Sequence, residues 1–136
     1  MSKYKLLILI CLISVLFVTS CAKNKGIILF NSVPITQNNI LHDEKNFREG
    51  SRVYFIYLAP EKMQNEFIRV QIFKMTDKAE YGGYDVVRTK DYRLKKNERY
   101  YYTDYFTLWE KGKYVMQVFS HSDFTRPIGI NFFYVN

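Results

Sequence analysis

Cysteine and histidine are scarce in this 136-residue chain, and their scarcity limits the chemistry that the sequence can support. The two cysteines, Cys11 and Cys21, allow at most one disulfide, which excludes the disulfide framework of many small secreted domains. His42-Asp43 and His121-Ser122-Asp123 lack the spacing of a zinc site, and a weak metal site would form only if the two loops met in space. The sequence contains no Gly-x-Ser-x-Gly elbow and no phosphate-binding glycine loop. We therefore expect no enzyme, no cofactor and no metal site.

The sequence also lacks an apolar segment long enough to cross a membrane. Its apolar segment from Leu6 to Val18 covers 13 residues and is interrupted only by Ser14, whereas a transmembrane helix needs about 20 residues. Lys3 and Lys5 precede this segment and small residues follow it, as in a secretory signal peptide. The N-terminus therefore predicts a signal helix and export from the cytoplasm.

Val18-Thr19-Ser20-Cys21 resembles the lipobox of bacterial lipoproteins, in which an aliphatic residue and two small residues precede an obligatory cysteine. The resemblance implies cleavage between Ser20 and Cys21, a diacylglyceryl thioether on Cys21 and an acylated new N-terminus. Residues 1–20 would be the signal peptide, residues 21–26 the lipidated cysteine and a short tether, and residues 27–136 the folded domain. Two or three acyl chains, at about 0.8 kcal/mol per buried methylene, would hold the protein on a membrane. An ordinary secretory signal or an uncleaved anchor helix is the alternative.

Cleavage would change the thiol and charge content of the chain. Cys11 would be discarded and Cys21 would carry lipid, so the mature protein would have no disulfide and no thiol nucleophile. Without Lys3 and Lys5, 18 basic residues remain against 13 acidic residues, a net charge of +5. An exported domain rarely meets nucleic acid, so we expect no nucleic-acid partner despite the basic composition.

The tether, Ala22 to Gly26, would keep the domain close to its membrane, since it spans at most about 17 Å when fully extended. Lys23 and Lys25 would either attract anionic headgroups or only keep the tether solvated. The residue after the cysteine is Ala22 and not an aspartate, as in lipoproteins that diderm bacteria sort to the outer membrane. The expected location is therefore the cell envelope outside the cytoplasm, with the protein anchored by lipid to the outer membrane.

Short runs rich in Val, Ile, Tyr and Phe recur between turn signals after Cys21, which predicts an all-β domain. Ile68, Val70 and Ile72 alternate with polar residues, the period of a half-buried strand. Thr36 to Glu49 is expected to be a loop. About seven antiparallel strands at the turn spacing of a sandwich are expected, with the last two forming a hairpin: Gly26 to Val33, Arg52 to Ala59, Glu66 to Met75, Tyr84 to Thr89, Glu98 to Leu108, Lys113 to Phe119 and Pro127 to Val135.

Glu110-Lys111-Gly112-Lys113-Tyr114-Val115-Met116 resembles the corner before the sixth strand of immunoglobulin-like (Ig-like) domains. The resemblance implies that Gly112 and Tyr114 are structural residues, with the Tyr114 hydroxyl bonded to a backbone carbonyl a few residues upstream. Met116 stands where antibody domains have their second cysteine, so the resemblance is to disulfide-free bacterial Ig-like sandwiches. A transthyretin-like or other small sandwich is the alternative.

Basic residues and tyrosines are concentrated around residues 84–102, which predicts a partner surface. Such a surface could bind an anionic glycan, a lipid headgroup or an acidic protein. Alternatively, the lysines protect an exposed edge strand from aggregation while alternate tyrosines enter the core. The segment from Asp91 to Asn97 is expected to be a loop or a weak edge. We call the following residues the strip: Arg88, Lys90, Tyr92, Arg93, Lys95, Lys96 and Arg99.

These features favour a non-enzymatic envelope lipoprotein that presents an Ig-like module to a protein or glycan partner. The alternative function is a structural or assembly accessory of an envelope complex, which would dock against that complex through the strip. Charge reversal at Arg93, Lys95 and Lys96 would separate the two, because only the accessory would lose its complex.

Overall fold

The computed structural model describes residues 25–76 and 83–136, so the predicted signal helix, Cys21 and most of the tether lie outside the described residues. The described residues form an all-β fold of two sheets, which confirms the predicted fold class. This part of the chain contains eight strands and one 3-10 helix, Lys96–Glu98. Within it, no helix has the length and apolarity needed to span a bilayer.

The strands are divided between a three-stranded and a five-stranded sheet. The three-stranded sheet has the order β1-β3-β6, and the five-stranded sheet has the order β2-β8-β7-β4-β5. β2 pairs with β8 in parallel, whereas the other pairings in both sheets are antiparallel. The bounds are β1 Ile27–Asn31, β2 Asn46–Phe47, β3 Arg52–Leu58, β4 Phe67–Thr76, β5 Gly83–Arg93, β6 Tyr101–Thr107, β7 Gly112–Ser120 and β8 Gly129–Val135.

The strands with the clearest sequence patterns lie where those patterns predict them. β3 is apolar on both faces and lies in the centre of its sheet, between β1 and β6. In β4, Ile68, Val70 and Ile72 are buried and alternate with less buried neighbours. β7 and β8 form the expected antiparallel hairpin. Apolar runs and hydrophobic periodicity were therefore sufficient to identify these four strands.

Inward-facing side chains of both sheets meet in one core, in which Phe133 is the central ring. Its ring centroid lies 4.8 Å from that of Phe30 and 5.5 Å from that of Phe106, both of the three-stranded sheet. It also lies 6.0 Å from the ring of Phe47. Burial of each such side chain contributes roughly 1.5–3 kcal/mol. Aromatic packing therefore joins the two sheets.

β5 is longer than its sequence predicts. The pattern gives a short strand from Tyr84 to Thr89 and a loop or weak edge from Asp91 to Asn97, whereas the strand continues to Arg93. The reason is that β4 has ten residues and offers backbone partners along its whole length, with Phe67 opposite Arg93. Pairing with a long neighbour therefore overrides the low strand propensity of a charged segment.

β2 lies inside the segment from Thr36 to Glu49, which is predicted to be a loop. Its two residues pair with Tyr134 and Val135 of β8. Phe47 is buried in the core, where its ring contacts Phe133 edge-on. The Phe47 side chain and the backbone hydrogen bonds from Tyr134 to Lys45 and from Asn136 to Phe47 hold this largely polar segment against the sheet edge, and two residues are too few to show strand periodicity.

Candidate binding surfaces

The structure separates the residues of the strip into three settings. Arg88, Lys90 and Tyr92 lie opposite Ile72, Val70 and Ile68, so these three side chains project from the inner face of β5. Arg93 lies on the opposite face of the strand, where its Nε is 3.4 Å from Glu66. Lys95, Lys96 and Arg99 lie beyond β5, in and around the 3-10 helix. The strip therefore does not form one continuous face.

The inner-face residues of β5 contact β6 and close one side of the sandwich. The rings of Tyr92 and Tyr102 are 4.5 Å apart, and Lys90 Nζ is 3.7 Å from an Asp104 carboxylate oxygen. Burial raises the pKa of both tyrosines well above the usual value, so both hydroxyls are neutral at physiological pH. This part of the strip packs between β5 and β6, the edge strands of the two sheets, as expected if alternate tyrosines of an edge strand enter the core. Tyr84, Tyr100 and Tyr101, in contrast, are exposed.

The two histidines are each held by a nearby acid. His42 Nε2 is 3.4 Å from Glu44, and His121 Nε2 is 3.2 Å from Asp91. Arg69 also donates to Asp91, and this hydrogen bond is the main cause of the lowered Asp91 pKa. In residues 25–76 and 83–136, no three His, Cys, Asp or Glu side chains cluster closely enough to hold a metal ion.

A groove of about 480 Å³ lies between the segment 59–66 and the turn that follows β7. Its lining includes Tyr57, Met63 and Ile128, but neither histidine. The Tyr57 hydroxyl donates to the Ile128 carbonyl at 3.3 Å, and burial raises the pKa of Tyr57 to about 12. The tyrosine is therefore a neutral structural group, and the groove lining also includes Glu61, Lys62, Ser120 and Ser122.

The five-stranded sheet carries an apolar row across its outer face, which the sequence analysis did not identify. Phe132 of β8 lies opposite Val115 of β7, Val115 lies opposite Phe73 of β4, and Phe73 lies opposite Val86 of β5. Phe132 is 40% exposed and Val86 is 56% exposed. Phe73, Val115 and Phe132 alternate with buried residues along their strands and so face away from the core, and Val86, paired directly opposite Phe73, faces the same side.

A bulge aligns the last member of the apolar row. The register between β4 and β5 shifts between Ile72 and Phe73, which leaves Val87 without a position in the ladder and places Val86 opposite Phe73. A bulge of this kind redirects side chains and increases the local twist. One sequence signal could have revealed the row. Consecutive apolar residues, as in Tyr114-Val115-Met116, place apolar side chains on both faces of a strand.

Lysines flank the β8 end of the apolar row. Lys45 Nζ and Lys113 Nζ each lie 4.8 Å from the centroid of the Phe132 ring. Ile130 and Tyr84 extend the exposed apolar surface beside the row and are 44% and 56% exposed. A contiguous exposed apolar surface with a charged border is typical of a protein interaction site.

Gly112 and Tyr114 stabilise the corner before β7. The Tyr114 hydroxyl donates to the Glu110 carbonyl at 2.6 Å, and its buried ring stacks on Phe133 at 5.5 Å between centroids. Gly112 has a φ of 152°, and a Cβ there would lie 2.9 Å from a carbon of Lys74. The Lys74 ammonium in turn lies 2.7 Å from a Glu110 carboxylate oxygen. The corner is thus fixed by backbone, ring and ion-pair contacts together.

No family model and no curated protein matches the chain. Among solved structures, the chain is similar to the alkylpurine DNA glycosylase AlkC of Pseudomonas fluorescens bound to DNA containing an abasic site analog. The identity is 11% and the TM-score is 0.42, and the match covers 80% of this chain but only 30% of the glycosylase chain. A likeness at this TM-score carries no argument about fold family or function.

Proposed function

We propose that this protein is a non-enzymatic bacterial lipoprotein, anchored in the cell envelope through lipid on Cys21, whose domain binds a protein partner. The anchor is supported by the sequence alone: an apolar segment of 13 residues, too short to span a bilayer, precedes Val18-Thr19-Ser20-Cys21. The folded domain begins at Ile27, six residues beyond Cys21. A domain so close to its anchor would act on partners in or near the membrane.

We further propose that the sandwich is of the Ig-like type. The strand order supports this, because β1, β3 and β6 correspond to strands A, B and E, and β4, β7 and β8 correspond to C, F and G of that fold. β5 then takes the place of the additional strand C′ of variable-type domains. Tyr114 supports the same assignment, since its hydroxyl bonds four residues upstream as a corner tyrosine does.

The apolar row is the observation that carries the proposed binding function. Four apolar side chains in direct register cross the outer face of the five-stranded sheet, and the two at the ends of the row, Phe132 and Val86, are exposed, which gains a monomer nothing. The Lys113 ammonium, 4.8 Å from the Phe132 ring, supplies positive charge at the border of the row, whereas the Lys45 ammonium is already paired with Asp43 at 2.8 Å. We infer a protein with an apolar surface bordered by carboxylates, because such a surface matches both the row and its charges.

Site-specific photo-crosslinking in the producing bacterium tests this function. A photoreactive phenylalanine analogue is placed at Val86, at Phe132, or at the control position Tyr105, which is 45% exposed on the three-stranded sheet. We expect one envelope protein to be crosslinked from both positions of the apolar row and not from Tyr105. Phe132→Asp should abolish the adduct at position 86, whereas Tyr105→Asp should leave it unchanged.

Equal adducts from all three positions, or none from the apolar row, would rule out this face as the binding surface. A polysaccharide partner would give no protein adduct, and would also contradict the proposal. Lipidation is tested separately by the mass of the N-terminal peptide of the purified native protein. An unmodified Cys21 thiol there would refute the anchor without affecting the crosslinking result.

A further inference from the structure

The chain enters the sandwich at a fixed point. The Gly26 amide donates to the Ile128 carbonyl at 2.7 Å. A Cβ on Gly26 would lie 2.3 Å from the Tyr57 ring and 2.5 Å from the Leu58 carbonyl oxygen, so the backbone lies directly against the end of β3. The described chain therefore begins at this end of the domain.

Three further segments meet at the same end of the domain: 59–66, 93–100 and 121–128. Backbone hydrogen bonds link the first two, from the Ala59 amide to the Tyr100 carbonyl at 2.8 Å and from Met63 to Arg99 at 2.8 Å. The His121 amide donates to the Phe67 carbonyl at 3.2 Å, next to the first segment. We call residues 25–26 and these three segments the tether end.

The charges of the domain are unequally distributed between its two ends. The tether end holds seven Lys and Arg residues against four acidic residues. Segments 32–51 and 108–111, which adjoin the opposite ends of the strands, hold three basic residues against four acidic residues. The seven basic residues of the tether end are Lys25, Lys62, Arg93, Lys95, Lys96, Arg99 and Arg126, and four of them, Arg93, Lys95, Lys96 and Arg99, belong to the strip.

Exposed side chains at the tether end have the chemistry of a membrane interface. Lys62, Lys95 and Lys96 are exposed. Tyr100 is 58% exposed and Phe124 is 44% exposed. A tyrosine such as Tyr100, with an apolar ring and a polar hydroxyl, and flexible cationic chains are the groups that bind at the headgroup level of anionic bilayers.

We propose that the tether end binds the anionic lipid headgroups of the membrane that anchors the protein. This inference rests on the proposed function, in that a tether of at most about 17 Å between Cys21 and the domain brings this end to the membrane first. At physiological salt, charges act over about 8 Å, so only the end nearest the bilayer contributes to binding. The strands then stand away from the membrane, and the apolar row faces sideways toward a neighbouring protein.

Hydrogen exchange of the native protein in vesicles tests which end is covered. The protein, purified from membranes, is reconstituted in phosphatidylcholine vesicles with or without phosphatidylglycerol. We expect phosphatidylglycerol to slow exchange in 59–66, 93–100 and 121–128, and to leave 108–111 unchanged. Trp109, the single tryptophan of the chain and 75% exposed beyond the opposite end, should not be quenched by brominated lipids.

Two matched variants separate a specific surface from general charge. Lys95→Gln with Lys96→Gln, and Arg48→Gln with Lys111→Gln, each remove two exposed positive charges, but at opposite ends. At roughly fivefold per basic residue, the first pair should weaken binding of the tether end to anionic headgroups roughly 25-fold and so reduce its protection, and the second pair should not change it. The lysines carry no core contact, so their replacement should preserve the fold, which the unchanged exchange of β3 and β7 would verify.

Each other outcome contradicts the inference. Protection that does not depend on phosphatidylglycerol, that is equal at both ends, or that is accompanied by quenching of Trp109 would overturn it. Protection that appears only when other envelope proteins are added would assign the tether end to a protein complex instead. Hydrogen exchange measures only which end of the domain is covered. The mass of the Cys21 peptide, measured on the same sample, tests the lipid anchor independently.

Discussion

Removing one oxygen atom from Tyr114 tests whether the corner before β7 stabilises the sandwich. Tyr114→Phe keeps the ring that stacks on Phe133 and deletes the hydroxyl that donates to the Glu110 carbonyl at 2.6 Å. A hydrogen bond of this kind contributes about 1 kcal/mol net, and a buried acceptor left without a donor costs about 1–3 kcal/mol. The Glu110 side chain is 76% exposed, so water can reach this residue and the lower end of the range applies.

We therefore expect Tyr114→Phe to lower the free energy of unfolding by about 1–1.5 kcal/mol. Urea unfolding followed by circular dichroism measures this, and the slope with urea should not change because the same surface is exposed on unfolding. In a thermal scan, the same loss should lower the Tm by roughly 4 °C or somewhat more. Both measurements use the purified protein.

Tyr105→Phe is the matched control, since it deletes the same atom from a tyrosine that is 45% exposed on the outer face of β6. Its effect should stay within about 0.5 kcal/mol. If Tyr114→Phe were indistinguishable from this control, the hydroxyl contact would not stabilise the corner, and the Ig-like assignment would lose one of its two supports.

Two further predictions concern the core. Met116→Ala should destabilise the protein by about 2–5 kcal/mol, because the side chain is fully buried between the sheets; Val115→Ala, on the outer face, should cost far less in the same urea experiment. Tyr57, Tyr92 and Tyr102 have raised pKa values in the folded state. Their contribution to the free energy of unfolding is therefore complete below pH about 10 and is lost as the pH rises through the folded-state pKa values. For Tyr57, whose pKa is about 12, the loss in the free energy of unfolding approaches about 2–3 kcal/mol. Tyr57→Phe should remove this part of the pH dependence when urea unfolding is measured between neutral and alkaline pH.

The strands that periodicity identified and those that it missed differ in a physical way. In β4, buried Ile68, Val70 and Ile72 alternate with outward-facing residues, so the polarity of each residue indicates the face of the strand on which it lies. In β5, only three of the eleven residues, Gly83, Arg88 and Tyr92, are partly buried, so its sequence carries no such alternation. A strand at the margin of a sheet is specified by its neighbour's backbone, which leaves no hydrophobic pattern to recognise.

Of the two candidate surfaces, the sequence indicated the strip but not the apolar row. Composition alone pointed to the strip, because basic and aromatic residues cluster between residues 84 and 102. Pairing of β4 with β5 then placed Lys90 and Arg93 on opposite faces of one strand, which no composition argument could foresee. The apolar row combines residues from four strands that span positions 73 to 132, and only the register brings them into line.

The sequence by itself determined the all-β class, the central and half-buried strands and the closing hairpin, because each depends on local alternation and turn residues. Tertiary structure decided what depends on contacts between distant residues: the length of β5, the alignment of Val86 with Phe73 through the bulge, and the meeting of four segments of the chain where Gly26 enters the domain. Local patterns record which face of a strand is buried. Which strand lies beside it, and at what register, is set by the packing of the whole core.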